Sequence, residues 1–217
     1  MHAISGVLLP GELVFDVGAN AGNKAESFLA RGARVIAIEP QPAMVKVLQD
    51  RFAGNPNITI IPKGLAEQGG RLVMNICSTD SPLSTFSDDW KNTGRFAHAP
   101  WDRQEAIETT TLDSLIAEFG RPRYAKIDVE GFEKKVMLGL TSKKIDTLSL
   151  EFMSETLRDT IDLCWYARGL GYAHFNFSIA EDDGFALPSW VGIEETIARL
   201  SDFCATTPDA WGDVYLA

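Results

Sequence analysis

The sequence predicts an α/β fold, with a doubly wound and mostly parallel sheet, an antiparallel last strand and an inserted hairpin. Three observations carry this. Short apolar runs such as Val35-Ile36-Ala37-Ile38 recur along the chain, and near-continuous apolar strands belong to parallel sheets covered on both faces. Segments with helical spacing separate these runs, and right-handed crossovers then place helices on both sides of the sheet. The alternation closes on a strand–loop–strand pair, which predicts antiparallel pairing of the last two strands.

In order, residues 1–11 read as a lead-in ending in Pro10-Gly11, followed by a strand over 12–17. A helix over 22–31 buries Ala25, Phe28 and Leu29 and stops at Gly32. The second strand is 34–39. Pro42 suits the first turn of the next helix, whose stripe is Met44, Val45, Leu48 and Phe52. The third strand is 58–61. Residues 71–76 and 106–110 read as the two arms of a hairpin on the sheet, flanking a polar stretch over 78–105 without a clear period. So long a stretch inside a compact domain covers a site or moves. A helix over 112–119 is capped near Thr111, and the fourth strand is 124–129. Phe132, Val136 and Leu140 mark the next helix, and 147–152 the fifth strand. A helix over 155–168 points Leu157, Ile161, Cys164 and Trp165 inward. The sixth strand is 172–179, a helix carries Ile193, Ile197, Leu200 and Cys204, and the last strand is 213–216. The expected organisation is one domain over 1–217, with an insert at 68–110 over the site.

The formal net charge of −10 disfavours nucleic acid as a partner, because an acidic surface repels phosphate. Three dispersed cysteines fit reduced thiols, and the absence of a signal peptide or membrane-length apolar run points to a cytoplasmic protein. Trp190 and Trp211 read as core or oligomer contacts, and a homo-oligomer is left open.

The most informative stretch is Val14 to Asn23. A buried strand breaks at an acid and two glycines and a helix follows, so backbone N–H groups converge on one point. A dinucleotide is the first candidate, but position 20 is Asn and the G-x-G-x-x-G spacing is absent. Asp16 at the strand end would repel a diphosphate and suits a cationic ligand without phosphate. S-adenosylmethionine (SAM) is such a ligand. Glu39 ends the second strand, where an acid accepts ribose hydroxyls.

Together, Asp16-Val17-Gly18-Ala19-Asn20-Ala21-Gly22, Ile38-Glu39-Pro40, Thr111-Leu112-Asp113-Ser114-Leu115 and Lys126-Ile127-Asp128-Val129-Glu130-Gly131-Phe132-Glu133 resemble the FkbM family of SAM-dependent methyltransferases. The resemblance spans about residues 11–152, and the ending Gly212-Asp213-Val214-Tyr215 is compatible with it. It implies a Rossmann-like class I methyltransferase fold and, most often, methylation of a hydroxyl on a sugar, glycan or secondary metabolite. By the same resemblance, Asp16, Gly18, Asn20 and Gly22 line the methionine end of SAM, Glu39 the ribose, and Gly64 and Leu65 the adenine, with Pro40 a further cofactor-binding residue.

Methyl transfer needs an aligned nucleophile and removal of its proton. Alternation in an extended strand puts Asp128 and Glu130 on one side, and Glu151 ends the neighbouring strand. These carboxylates read as a general base with an orienting partner. A second reading is a divalent metal held by Asp128 and Glu151. A third pairs Glu130 with Lys126 or Lys134 and leaves Asp128 as the functional acid. Glu133 reads as an acid placed by the helix dipole. His98, in the insert, is a further candidate base. Ser81, Ser84 and Thr85, with the insert's aromatic residues, read as walls for a small-molecule or glycan hydroxyl acceptor. Two other functions are carried alongside: an NAD-dependent oxidoreductase, disfavoured by Asp16 and the loop spacing, and a SAM-binding protein without catalysis.

Overall fold

The computed structural model describes residues 8–217 except 93, 181 and 183, so residues 1–7 of the expected lead-in lie outside the described residues. Its elements are β1 (Leu13–Val17), α1 (Asn23–Ala30), β2 (Arg34–Ile38), α2 (Pro42–Arg51), β3 (Ile58–Ile61), β4 (Gly64–Leu65), β5 (Gly70–Ile76), α3 (Asp88–Asn92), β6 (Arg103–Thr110), α4 (Leu112–Phe119), β7 (Tyr124–Ile127), α5 (Glu133–Met137), β8 (Thr147–Met153), α6 (Leu157–Leu170), β9 (Phe175–Phe177), α7 (Ile193–Thr206) and β10 (Trp211–Leu216). The main sheet has the order β3-β2-β1-β7-β8-β10-β9. The pairs from β3 through β8 are parallel, and β10 runs antiparallel to both β8 and β9. The predicted doubly wound sheet with an antiparallel last strand is therefore present.

The strand order reverses between β1 and β7, with Val17 opposite Ile127. Ligands of open α/β sheets bind outside the carboxyl ends of strands at such a switch point. The core explains the apolar runs. Val14 packs with Phe28, Leu48 and Tyr124 on one face, while Phe15 packs with Ile127, Val136 and Leu150 on the other. Both faces of β1 are buried, so every residue of that strand is buried.

Three expectations need correction. The hairpin does not lie on the main sheet: β5 and β6 pair antiparallel and join β4 in a separate three-stranded sheet. The chain reverses at Pro62, where the Lys63 amide donates to the Ile61 carbonyl at 2.9 Å, and this turns Gly64 and Leu65 out of the main sheet. The long insert is also less irregular than its sequence suggests, since it holds α3 and short 3-10 turns at Ser81–Leu83 and Gly94–Phe96. In α6 the buried positions are Thr160, Leu163, Cys164 and Ala167, while Trp165 is 47% exposed. That stripe has 3- and 4-residue spacing, and Trp165 lies one step of about 100° beyond its edge.

Candidate active site

The loop after β1 is held by its neighbours. Gly18 and Ala19 donate their amides to the Ile38 carbonyl at 3.0 and 3.1 Å. Gly18 has φ +85°, and a Cβ there would lie 1.8 Å from the carbonyl oxygen of Asp128. Asn20 also has positive φ, and its amide donates to Glu39 Oε2 at 2.7 Å. The Gln41 amide donates to Glu39 Oε1 at 2.8 Å. Glu39 is thus a buried bridge between the loops after β1 and β2, and burial pushes its pKa up to about 7. Asp16 is also buried. Burial pushes its pKa up to about 6 against the pull of Lys126, and its Oδ2 has no hydrogen-bond partner among the described residues.

A cleft of about 620 Å³ opens beyond these loops. Gly18, Asn20, Glu39, Pro40, Gly64 and Leu65 line it, with Phe86 beside Gly64. A Cβ on Gly64 would lie 2.7 Å from the Phe86 ring. Gly22 does not reach this wall. Its absent Cβ would meet Phe52 and Leu48, so it lets α1 pack on α2 instead. Ser84 stands on the wall, and Ser81 hydrogen-bonds Asn20. Buried Thr85 donates to the Glu130 carbonyl at 2.7 Å.

Opposite the glycine loop lies the Asp128-Val129-Glu130-Gly131 turn. The expected extended alternation is absent, because β7 ends at Ile127 and the chain turns through Glu130 at φ +56° and Gly131 at φ +80°. The turn still gathers the carboxylates: one oxygen each from Asp128, Glu130 and Glu151 lie within 4.8 Å of one another. Burial and the neighbouring Asp128 push the pKa values of Glu130 and Glu151 well above the usual carboxylate range. The pairing of Glu130 with Lys126 or Lys134 is not formed. Lys126 contacts Asp128 at 2.5 Å, and Lys134 reaches Asp159 and Asp162. Burial pulls the Lys126 pKa down, but Asp128 and Asp213 outweigh it and hold the ammonium charged. Glu133 does more than complement a dipole. Its buried Oε1 accepts the Val129 amide at 2.9 Å and fixes the turn, and burial pushes its pKa up to about 7.

A second cavity adjoins the turn. Its walls are Glu130, Glu151, Met153, Trp211, Phe96 and Arg95, with Leu83 at one side. Arg95 donates twice to Glu155, at 2.6 and 2.8 Å. Trp211 therefore faces this cavity rather than the core, while Trp190 packs against Phe185 as expected of a core residue. His98 is exposed and lies on neither wall. Sequence reasoning missed Lys126 as a buried partner of Asp128 and Trp211 as a cavity wall. The available signal for Trp211 was its place at the start of the last strand, which the register sets opposite Met153.

A family model described as the methyltransferase FkbM domain matches residues 16–166. The chain belongs to this family. Among curated relatives, a hexuronic acid methyltransferase of Haloferax volcanii is 29% identical over 135 residues, or 60% of this chain and 51% of that protein. A probable ribosomal RNA small subunit methyltransferase A of Methanosarcina mazei is 46% identical over 54 residues, or 25% of this chain and 20% of that protein. The matches thus span between a fifth and half of these relatives' lengths. Among solved structures, a precorrin-6Y C5,15-methyltransferase of Geobacter metallireducens superimposes with a TM-score of 0.49 and 10% identity, covering 96% of this chain and 82% of that one. Among the described residues, no helix is long and apolar enough to cross a membrane.

Proposed function

We propose that this FkbM chain transfers a methyl group from SAM to a hydroxyl of a sugar, glycan or secondary-metabolite acceptor. One observation carries the reading: Glu130 is shared by the walls of the two cavities, so a carboxylate stands where a cofactor and an acceptor would meet. The residues present fit SAM. The unpartnered Asp16 Oδ2 suits a cation, and Gly18 and Asn20 bring loop backbone to the wall of the cleft. When bound, SAM supplies an electrophilic methyl group on a sulfonium. Glu130 or Glu151, each with a raised pKa, accepts the acceptor's hydroxyl proton. Lys126 keeps Asp128 in place beside them, and Trp211 and Phe96 offer faces for a sugar ring. A sugar acceptor is supported by the hexuronic acid methyltransferase relative. RNA is disfavoured by the net charge and by the carboxylates at the junction, although ribosomal RNA methyltransferases are among the relatives.

The test is methyl transfer from labelled SAM to neutral sugars, uronates, polyhydroxylated aromatics and RNA. Alkali-stable label in a hydroxylated acceptor supports O-methylation. Label only in RNA sinks the acceptor reading, and SAM binding without transfer to any acceptor favours the non-catalytic one. Asp128, Glu130 and Glu151 also present three hard oxygen ligands to a divalent metal. Full activity after exhaustive chelation removes that reading.

A further inference from the structure

A further cavity lies beyond the acceptor side of the site. Its volume is about 660 Å³, against about 460 Å³ for the cavity at Glu130, Glu151 and Trp211. The two share Arg95, Phe96 and Met153 as walls, and Gly131 of the outer one follows Glu130 of the inner one in the chain. None of the residues that line the outer cavity lines the cleft at the glycine loop. The three spaces therefore run in a row, with the Glu130 cavity in the middle. The outer compartment is preformed. Trp90 is buried against Gly131, where a Cβ would lie 2.9 Å from the indole, and its ring meets Phe96 at 5.3 Å between centroids. The Arg95 guanidinium lies over the Phe96 ring and donates through Nε and Nη2 to Glu155, which fastens the insert to the Ser154–Thr156 turn before α6. The rest of the polar wall is rich in hydrogen-bond acceptors: the carboxylates of Asp89 and Asp159 and the Thr156 hydroxyl. Lys134 reaches Asp159 through Oδ1 only, at 3.5 Å.

We infer that the acceptor is a chain of at least two sugar units, with the methylated ring in the Glu130 cavity and an uncharged neighbouring ring in the outer compartment. The inference rests on the proposed methylation of a sugar and adds the form that sugar takes. An occupant of the outer compartment has no wall in common with the cofactor cleft, so it continues the acceptor and is not part of SAM. Two compartments that meet along three common residues suit two linked rings. Phe96 borders both and offers an apolar face, while the carboxylates accept hydroxyl protons; together these are the contacts a polyhydroxylated ring makes. A phosphate, sulfate or uronate in the outer compartment would face Asp89, Glu155 and Asp159, and the basic residue on that wall, Arg95, is already committed to Glu155. A flat apolar group would strip water from those carboxylates and give no hydrogen bond in return. The outer ring takes no part in bond exchange. Its binding holds the reacting hydroxyl in line with the methyl group, so the gain belongs in kcat/KM.

The experiment measures methyl transfer from labelled SAM to glucose, galactose, mannose and glucuronate, each beside a disaccharide that carries it linked to a neutral sugar. For the sugar that is methylated, kcat/KM is expected to be about tenfold or more higher in the disaccharide. Saturation-transfer NMR, on protein loaded with S-adenosylhomocysteine, the demethylated product of SAM, is expected to show both rings in contact with the protein. Thr156→Trp fills the outer compartment and Asp159→Ala removes an acceptor from its wall. Each is expected to lower the ratio of disaccharide to monosaccharide kcat/KM by about fivefold or more and to weaken the signal of the second ring. Thermal melts confirm that the variants fold, and the wild-type ratio tests the inference without them. Equal kcat/KM for the two forms in the wild type overturns it, as does a ratio unchanged in both folded variants. Label only in polyhydroxylated aromatics overturns it and leaves O-methylation standing. Label in no sugar and no aromatic removes the proposed reaction itself, an outcome distinct from equal rates.

Discussion

The carbonyl oxygen of Asp128 occupies the space that a side chain on Gly18 would need, 1.8 Å from where its Cβ would lie. The two loops at the switch point are thus in backbone contact, and the glycine also has a φ of +85°, a region costly for other residues.

Gly18→Ala must therefore move either the glycine loop or the Asp128 turn. The expected cost is about 3 kcal/mol of stability, from strain and backbone overlap together. Chemical denaturation checks the stability, and calorimetry is expected to show loss of S-adenosylhomocysteine binding. A variant as stable and as competent as the wild type would show that the loops are free to separate.

Glu39 joins the same loops through hydrogen bonds from the Asn20 and Gln41 amides. Glu39→Gln replaces one accepting oxygen with an NH2 group that faces an N–H donor. A buried donor left unmatched costs about 1–3 kcal/mol. A lower melting temperature and weaker S-adenosylhomocysteine binding are expected together, because one bridge serves both loops.

Stability without ligand should fall as pH rises. Burial raises the pKa of Asp16 from 3.8 to about 6, and those of Glu39 and Glu133 from 4.5 to about 7. A raised carboxylate pKa favours the folded state at low pH. That contribution is complete below the unfolded value and is lost as pH climbs through the folded value. Glu155, lowered to about 2 by its hydrogen bond to Arg95, runs the opposite way, but its contribution is already complete above about pH 5 and leaves the window unaffected. Between about pH 5 and pH 8 a loss of several kcal/mol is expected, seen as a melting temperature lower by roughly 10 °C or more. A flat or rising profile in ligand-free protein would mean that these acids are better solvated than their burial implies.

Much of this architecture was legible because it depends on local pattern. Thr111 caps α4 where its spacing predicts, its hydroxyl accepting the Ser114 amide at 3.1 Å, and β3 spans 58–61 as its apolar run requires. Asp128, Glu130 and Glu151 do converge, but through a left-handed turn that alternation could not foresee. What stayed hidden depends on long-range placement. The role of Trp211 follows from β10 lying beside β8, and the partner of Lys126 depends on where β7 ends. The occupancy of both Glu39 oxygens by amides depends on how two loops meet.

Lys126 is charged, buried and tied to Asp128, with Asp213 and Glu151 also in its field. Removing one partner of a buried pair leaves an uncompensated charge and costs about 3–5 kcal/mol. Lys126→Met should melt well below the wild type, and its melting temperature should recover as acidification protonates the abandoned acids. Lys126→Arg keeps the charge and should fold, with loss confined to the fit of the larger head group. Equal stability of the methionine variant at neutral pH would show that the acids beside it are already neutral.

Trp211 faces the cavity shared by Glu130 and Glu151 and takes no part in the cleft on the other side of the Asp128 turn. Its substitution therefore separates the two sites. Trp211→Ala removes a large ring surface from the wall proposed for the acceptor, worth about 1–2 kcal/mol where an aromatic face covers a ligand ring. The acceptor KM is expected to rise roughly tenfold, while S-adenosylhomocysteine affinity stays within about twofold, since 1.4 kcal/mol is a factor of ten. Trp211→Phe keeps a flat face and should recover part of the loss. Steady-state kinetics with varied acceptor, read beside calorimetry of the product, distinguishes this from general damage: a fall in both affinities would place Trp211 in the fold of β10 and not on the acceptor wall.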